Sequence, residues 1–389
     1  MKVKLFTDSD LDGLGSAIVA KLAFGEDVEV VHCNYRNLNQ RVEEFLKKEE
    51  NHQVHLFITD LAVNSHVEKL LDERFKKGYP VQVIDHHFTA THFNQYPWGF
   101  VLAEYESGKK TCATSLFYEY LIDHKHLKST KALDEFVDLV RQYDTWEWDE
   151  NNNVLAKHLN DLFFMFGREQ FEEDLIRRLQ EDKESFKLTD MESTLMDIED
   201  KKIERYIFSK NKQIVQTFVG ELCCGIVSAE QYLSELGNSL NKKNPHLDCI
   251  VLVNLGSRKV GFRTIHDHIN VARFAKQFGG GGHPKASGCD LTEETFKLFV
   301  TDAFALQPIK PDPEKNEYNV KDADHGTYYE NYNGEISYVK KLNPNMYEVY
   351  HQGKLVEGKI FQTFDEAETF IKRNYQSWLQ FDRDLKKNP

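Results

Sequence analysis

Three aspartates stand at alternate positions, Asp8, Asp10 and Asp12, directly after the apolar run of residues 2–7. In an extended chain alternate side chains point the same way, so three carboxylates share one side. Such a cluster repels itself unless a cation sits within it. The competing reading of this run alone is a polar turn in which Asp12 caps the helix that follows. Two further motifs favour the metal. Asp60 ends the apolar run of residues 54–59, and Asp85-His86-His87 ends that of residues 81–84. Carboxylates and imidazoles without cysteine suit hard to borderline ions such as Mn²⁺ or Mg²⁺ and disfavour a structural zinc site.

The elements that must hold these residues are legible in the periodicity. Residues 2–7, 28–33, 54–59 and 81–84 read as short buried strands. Helical patterns fall between them at 13–24, 41–48 and 67–77. This alternation predicts an α/β fold, an N-terminal parallel sheet with helices on both faces. Parallel strands bring their carboxyl ends to one edge, which is where open α/β sheets build sites. Further helices are expected at 111–123 and 132–143. The stretch 170–217, free of Gly and Pro, reads as helices that close the first domain and lead into the next. Strand patterns at 222–228, 249–254 and 259–264 indicate a second, smaller α/β domain. PIKPDP (308–313) marks a linker, followed by a C-terminal extension with a three-stranded meander at 334–341, 347–351 and 355–361 and a closing helix at 364–375. The expected boundaries are 1–189, a helical connector at 190–217, 218–308 and 313–389.

The chain has 389 residues and a formal charge of −14, enough length for two to three domains. That charge argues against coating long nucleic acid, so no long-duplex binding is expected. No apolar run approaches a membrane span, and no membrane partner is expected. Six cysteines without a C-x-x-C pair suit reduced thiols in a cytoplasmic protein. A homodimer is allowed by the sequence and not required by it.

TDSDLDGLGS (7–16), ITD (58–60) and DHH (85–87) resemble the motifs of the DHH phosphoesterase superfamily, in that order. Asp144 in RQYDTW matches the fourth motif, and GGGGHPKASG (279–288) the glycine-rich signature of its substrate-binding domain. The resemblance implies two divalent ions, Mn²⁺ first and Mg²⁺ as the alternative. One would be held by Asp8, Asp10 and Asp60, the other by Asp12, Asp60, His86 and Asp144, with Asp60 bridging. Many relatives carry a histidine where Phe6 stands here. Asp8 is the nearest replacement, as in the exonuclease branch with an Asp-x-Asp-x-Asp run. Two such ions activate a water against a phosphodiester and stabilise the attacking and leaving oxygens. His87 would face the phosphoryl oxygen or protonate the leaving group, against the plain alternative of a solvent-facing histidine.

The resemblance also assigns Gly280, Gly281, Gly282, His283 and Lys285 to phosphate or sugar binding, with Arg263 as a phosphate ligand. Arg suits phosphate because its planar fork bonds two oxygens at once; an ordinary strand arginine is the alternative. Beyond residue 312 the resemblance to the core domains stops. The tyrosines there, Tyr318 to Tyr350, are read as core and cross-strand residues before base-stacking platforms. The motif forms are most similar to the oligoribonuclease branch. The expected activity is therefore metal-dependent hydrolysis of short single-stranded RNA to mononucleotides. The alternatives on the same centre are a cyclic mono- or dinucleotide phosphodiesterase and a 3′-phosphoadenosine-type nucleotide phosphatase. A catalytically silent nucleotide-binding protein is the reading from another class.

Overall fold

The computed structural model describes residues 1–385. The chain divides into two compact units, Met1–Ile198 and Glu199–Pro389.

The first unit is built on β1 (Val3–Thr7), β2 (Val28–His32), β3 (His55–Thr59), β4 (Val81–Asp85) and β5 (Gly99–Val101). They form one parallel sheet in the order β2-β1-β3-β4-β5. The fifth, three-residue strand lies outside the sequence reading, being too short to show a period. Alternation assigns the two faces. Leu5, Phe57 and Ile84 pack with α1 (Leu11–Phe24), α4 (Ala113–Asp123) and α5 (Lys131–Asp144). Phe6, Ile58 and Val83 pack on the other face with α2 (Leu38–Leu46) and α3 (Ser65–Lys76). The unit continues through α6 (Glu147–Glu150), α7 (Val154–Phe166) and α8 (Arg168–Glu181), and the division from the second falls inside α9 (Asp190–Asn211).

The strand order places the site. From β1 the chain goes to β2 on one side, then returns to β3 on the other. The β1/β3 junction is thus the point where the order reverses, and the crevice at its carboxyl end is where such sheets bind ligands.

In the second unit, β6 (Val215–Val219), β7 (Leu222–Ser228), β8 (Cys249–Asn254), β9 (Lys259–Arg263), β10 (Gly281–Gly282) and β11 (Ala286–Asp290) form a mixed sheet in the order β10-β11-β9-β8-β7-β6. It packs with α10 (Leu233–Lys243), α11 (Val271–Lys276) and, through Phe299, the helical turn Lys297–Asp302 that follows α12 (Glu293–Phe296). The C-terminal part is a second sheet, β15-β14-β13-β12-β16, with α13 (Phe364–Tyr375) against it. Its strands are β12 (Thr327–Glu330), β13 (Ile336–Asn343), β14 (Met346–His351), β15 (Lys354–Leu355) and β16 (Trp378–Leu379). The expected three-stranded meander is therefore corrected. Its third strand shrinks to Lys354–Leu355 plus a bridge from Phe361 to Tyr347, while β12 and β16 add to the opposite edge. The tyrosines divide as well: Tyr329 and Tyr347 are buried in the core, whereas Tyr318 and Tyr332 stay exposed.

Charge fastens the linker to this second sheet. Asp312 accepts from Lys372 at 2.5 Å and pairs with Lys321 at 3.0 Å. Burial raises its carboxyl, but the two ammonium groups outweigh that and hold it down at about 2, against an ordinary value of 3.8. A depressed carboxylate contributes stability above its unfolded value and loses it as pH falls through the folded one. Lowering the pH from 4 to 2 should therefore remove about 2 kcal/mol from this unit. Urea midpoints of Asp312→Asn should show no such component over that window.

Candidate metal centre and substrate-binding loop

Asp10 is the residue whose side chain caps α1, accepting from the Gly13 amide at 3.0 Å. Asp12, the cap in the competing reading, lies in the first turn instead. Its two oxygens accept the backbone amides of Ala113 at 2.7 Å and Thr114 at 2.8 Å, at the start of α4. These two amides at the helix N-terminus fix the Asp12 side chain in place. Gly13 is required sterically: a Cβ at that position would lie 2.2 Å from the Asp8 carbonyl oxygen. His32, at the end of β2, bonds the same carbonyl through Nδ1 at 2.8 Å.

Asp60 follows β3 with φ of 62°, a left-handed backbone that Asp and Asn tolerate better than most residues. Its amide donates to Ile84 at 3.1 Å, and its side chain is buried. Asp144 is the last residue of α5.

The six proposed ligands converge. One ligand atom each from Asp8, Asp10 and Asp60 lies within 4.8 Å of the others, and the same holds for Asp12, His86 and Asp144. His86 Nε2 is 3.7 Å from Asp12, 3.5 Å from Asp60 and 3.5 Å from Asp144. These separations are too long for hydrogen bonds. They approach the roughly 3 Å between neighbouring ligands around a cation with bonds of about 2.1 Å. Asp60 Oδ2 and His86 Nε2 are buried without a hydrogen-bond partner.

The electrostatics agree. Burial, then the Asp12 charge, pushes the Asp10 carboxyl up to about 6. The same two causes raise Asp60 and Asp144 well above the carboxylate range, and burial pulls His86 down. Carboxylates crowded beyond their local counter-charge, with orphaned donor atoms among them, fit a divalent cation. The donor sets also differ: oxygen alone in the first trio, oxygen and nitrogen in the second. Phe6 contributes nothing here; it is buried on the opposite face, edge-on to Phe45.

Asp85 escaped the sequence reading, which treated it only as part of a motif. It is fully buried, and its Oδ1 accepts from the His86 amide at 2.7 Å, the His87 amide at 3.1 Å and His87 Nδ1 at 2.8 Å. The carboxylate raises the His87 imidazole and engages its Nδ1, so Nε2 is the ring nitrogen not bonded to Asp85. A carboxylate two residues before a candidate acid, at a strand end, was the available signal.

In the second unit the glycine loop and Arg263 are neighbours in one sheet, Ala286 opposite Arg263 and Gly281 opposite Gly288. Arg263 is largely covered, with its guanidinium donating to the Phe262 carbonyl at 3.1 Å and reaching Ser234 at 3.4 Å. The loop residues separate into two kinds. A Cβ at Gly280 would lie 2.1 Å from the Gly288 oxygen, and one at Gly282 would lie 2.7 Å from the Ala286 oxygen. Gly282 also has φ of 137°. These two allow the hairpin to close. Gly281 faces open space, with nothing within 4 Å of a built Cβ, as does Gly279, whose φ of 72° still favours glycine. His283 is exposed, and Lys285 is engaged by Asp267 at 2.7 Å. Gly280→Ala should therefore lower the melting temperature sharply, by a close backbone clash of the kind that destabilises by several kcal/mol. Gly281→Ala should leave melting unchanged and act only on substrate KM. Between β9 and the loop, Asn270 caps α11 and His266 bonds the Leu247 carbonyl.

The chain has counterparts among known proteins. Residues 2–142 match the model of the DHH family, N-terminal domain, and residues 326–388 that of the oligoribonuclease NrnB C-terminal domain. Asp144 lies two residues past the first match. The chain belongs to the DHH family. Oligoribonuclease NrnB of Bacillus subtilis is 50% identical over 377 residues, 96% of this chain and 94% of that protein. Looser structural likenesses include RecJ of Thermus thermophilus in complex with Mn²⁺, at a TM-score of 0.46 and 12% identity over 92% of this chain and 63% of that one. The pGpG-specific phosphodiesterase PggH of Vibrio cholerae scores 0.44 at 16% identity, over 78% of this chain and 99% of that one. Among the described residues no helix is long and apolar enough to cross a membrane.

Proposed function

We propose that the chain hydrolyses short single-stranded RNA to mononucleotides, using two divalent ions, Mn²⁺ by preference. Asp8, Asp10 and Asp60 would hold one and Asp12, Asp60, His86 and Asp144 the other, with Asp60 shared. When bound, the ions would supply charge neutralisation at the phosphate and a nucleophilic water at neutral pH. The protein's own part is to fix that geometry. The α4 amides hold Asp12, the left-handed backbone turns Asp60 inward, and Asp85 orients His87. His87 Nε2 would then donate to a phosphoryl oxygen or to the leaving oxygen. Within the second unit, Arg263 and the amides around Gly281 would bind phosphate. The convergence of the carboxylates and His86 carries this reading. The substrate class is supported by the NrnB relative and by the match at residues 326–388.

The test is release of mononucleotide from a labelled pentaribonucleotide. Full release with Mn²⁺ and none after chelation are expected. Inert RNA, with turnover of a cyclic dinucleotide or a 3′-phosphonucleotide instead, would move the assignment to that substrate.

A further inference from the structure

A second concavity lies within the Glu199–Pro389 unit, formed by the end of α9, the linker at 308–313 and the last described residues. Its volume is about 750 Å³, inside the roughly 300–1,000 Å³ range of ligand clefts. Three aromatic rings line it, and each carries a cation. Lys212 Nζ lies 4.0 Å from the Phe208 ring centre, and the Arg383 guanidinium 4.7 Å from that of Phe381. Lys310 Nζ lies 4.9 Å from the Tyr332 ring and 4.2 Å from Trp378 just behind it. Phe208 and Tyr332 are about half exposed, 52% and 48%, which leaves part of each ring open to a ligand.

The charge is uneven as well. Lys212, Lys243, Lys310 and Lys315 all line the cavity, and none makes an ion pair among the described residues. Two of the carboxylates nearby are occupied, while Glu314, which also lines the cavity, is exposed. Asp312 binds Lys372 and Lys321, and Asp382 accepts three backbone amides, from Glu317, Tyr318 and Asn319. Four unpaired ammonium groups thus converge in a chain of net charge −14. Three prolines, Pro308, Pro311 and Pro313, stiffen the wall between them. Ring faces interleaved with unpaired cations are the chemistry that holds single strands: bases stack on the rings, and phosphates meet the cations.

We propose that this cavity binds a segment of single-stranded RNA, with bases stacked on Phe208 and Tyr332 and phosphates on Lys212 and Lys310. The assignment rests on the proposed RNA substrate and adds a strand-binding site that does not use the metal cluster.

Fluorescence anisotropy of the full-length protein with a labelled heptaribonucleotide in EDTA tests it, since binding is then read without turnover. The Lys212→Glu/Lys310→Glu double variant should weaken Kd at least tenfold and Phe208→Ala about fivefold. Lys354→Glu, an exposed lysine on β15, controls for net charge and should change Kd less than twofold. The slope of log Kd against log salt should fall by about 1.4 in the double variant, two lost phosphate contacts on a single strand. Equal Kd for all variants, or no binding by the wild type, would overturn the site. So would competition by UMP as effective as by the heptamer, which would make the cavity a mononucleotide pocket. If the double variant misfolds, Phe208→Ala decides alone, its ring being largely solvent-facing. Mononucleotide release from a dinucleotide with Mn²⁺ is measured in parallel. Its failure would remove the proposed activity, while the anisotropy series still decides the cavity.

Discussion

Asp60→Asn should lower kcat by about a thousandfold or more, because it removes the carboxylate placed between both ligand groups. The substitution is chosen for the backbone. Asparagine accepts the left-handed φ of 62°, whereas alanine or a branched residue would add strain of about 1–2 kcal/mol. The fold therefore survives, and the loss is chemical. A second readout separates the metal centre from a plain structural role. Burial and the neighbouring Asp12 hold the Asp60 carboxyl far above its ordinary value, so in the metal-free protein its ionised form is destabilising at neutral pH. Removing that charge should raise the melting temperature without metal. Mn²⁺ should then stabilise the wild type strongly and the variant hardly at all, since only binding to the native state shifts melting. Turnover within tenfold of wild type would exclude Asp60 from the centre.

His87→Ala should lower kcat by about 10²–10⁴-fold while leaving Mn²⁺-induced stabilisation intact. The reasoning is geometric. His87 Nδ1 is occupied by Asp85 at 2.8 Å and stands 3.9 Å from Asp60, so the nitrogen nearest the carboxylates is already committed. What remains is Nε2, suited to donate to substrate. Asp85→Asn should lie between, about 10–100-fold down in kcat with KM little changed, because it loosens the ring without removing it. Loss of Mn²⁺ stabilisation in His87→Ala would make the residue a ligand and not a proton donor.

These outcomes rest on features of unequal visibility in the sequence. Short apolar runs ending in Asp8, Asp60 and Asp85 announced a parallel sheet and its site edge, because strand patterns span five or six residues and acidic residues at their ends stand out. The helices at Leu11–Phe24, Ala113–Asp123 and Lys131–Asp144 lie within two residues of the periodicity. The small strands did not show. Gly99–Val101, Lys354–Leu355 and Trp378–Leu379 are two or three residues long, and their pairing is set by neighbours distant in the chain.

The amino-acid order by itself determined which residue types sit at strand ends, how the faces of the first sheet alternate, and which family the motifs resemble. All of these depend on local period and spacing. The tertiary structure alone decided that Asp10 and not Asp12 caps α1, because Asp12 is claimed by amides about a hundred residues away. It alone separated Gly281, facing open space, from Gly280 and Gly282, whose missing side chains let a hairpin close. It alone gathered four unpaired lysines with exposed rings at one cavity. Capping, close approach and charge convergence are properties of distances in space, and these are fixed only when the chain has folded back upon itself.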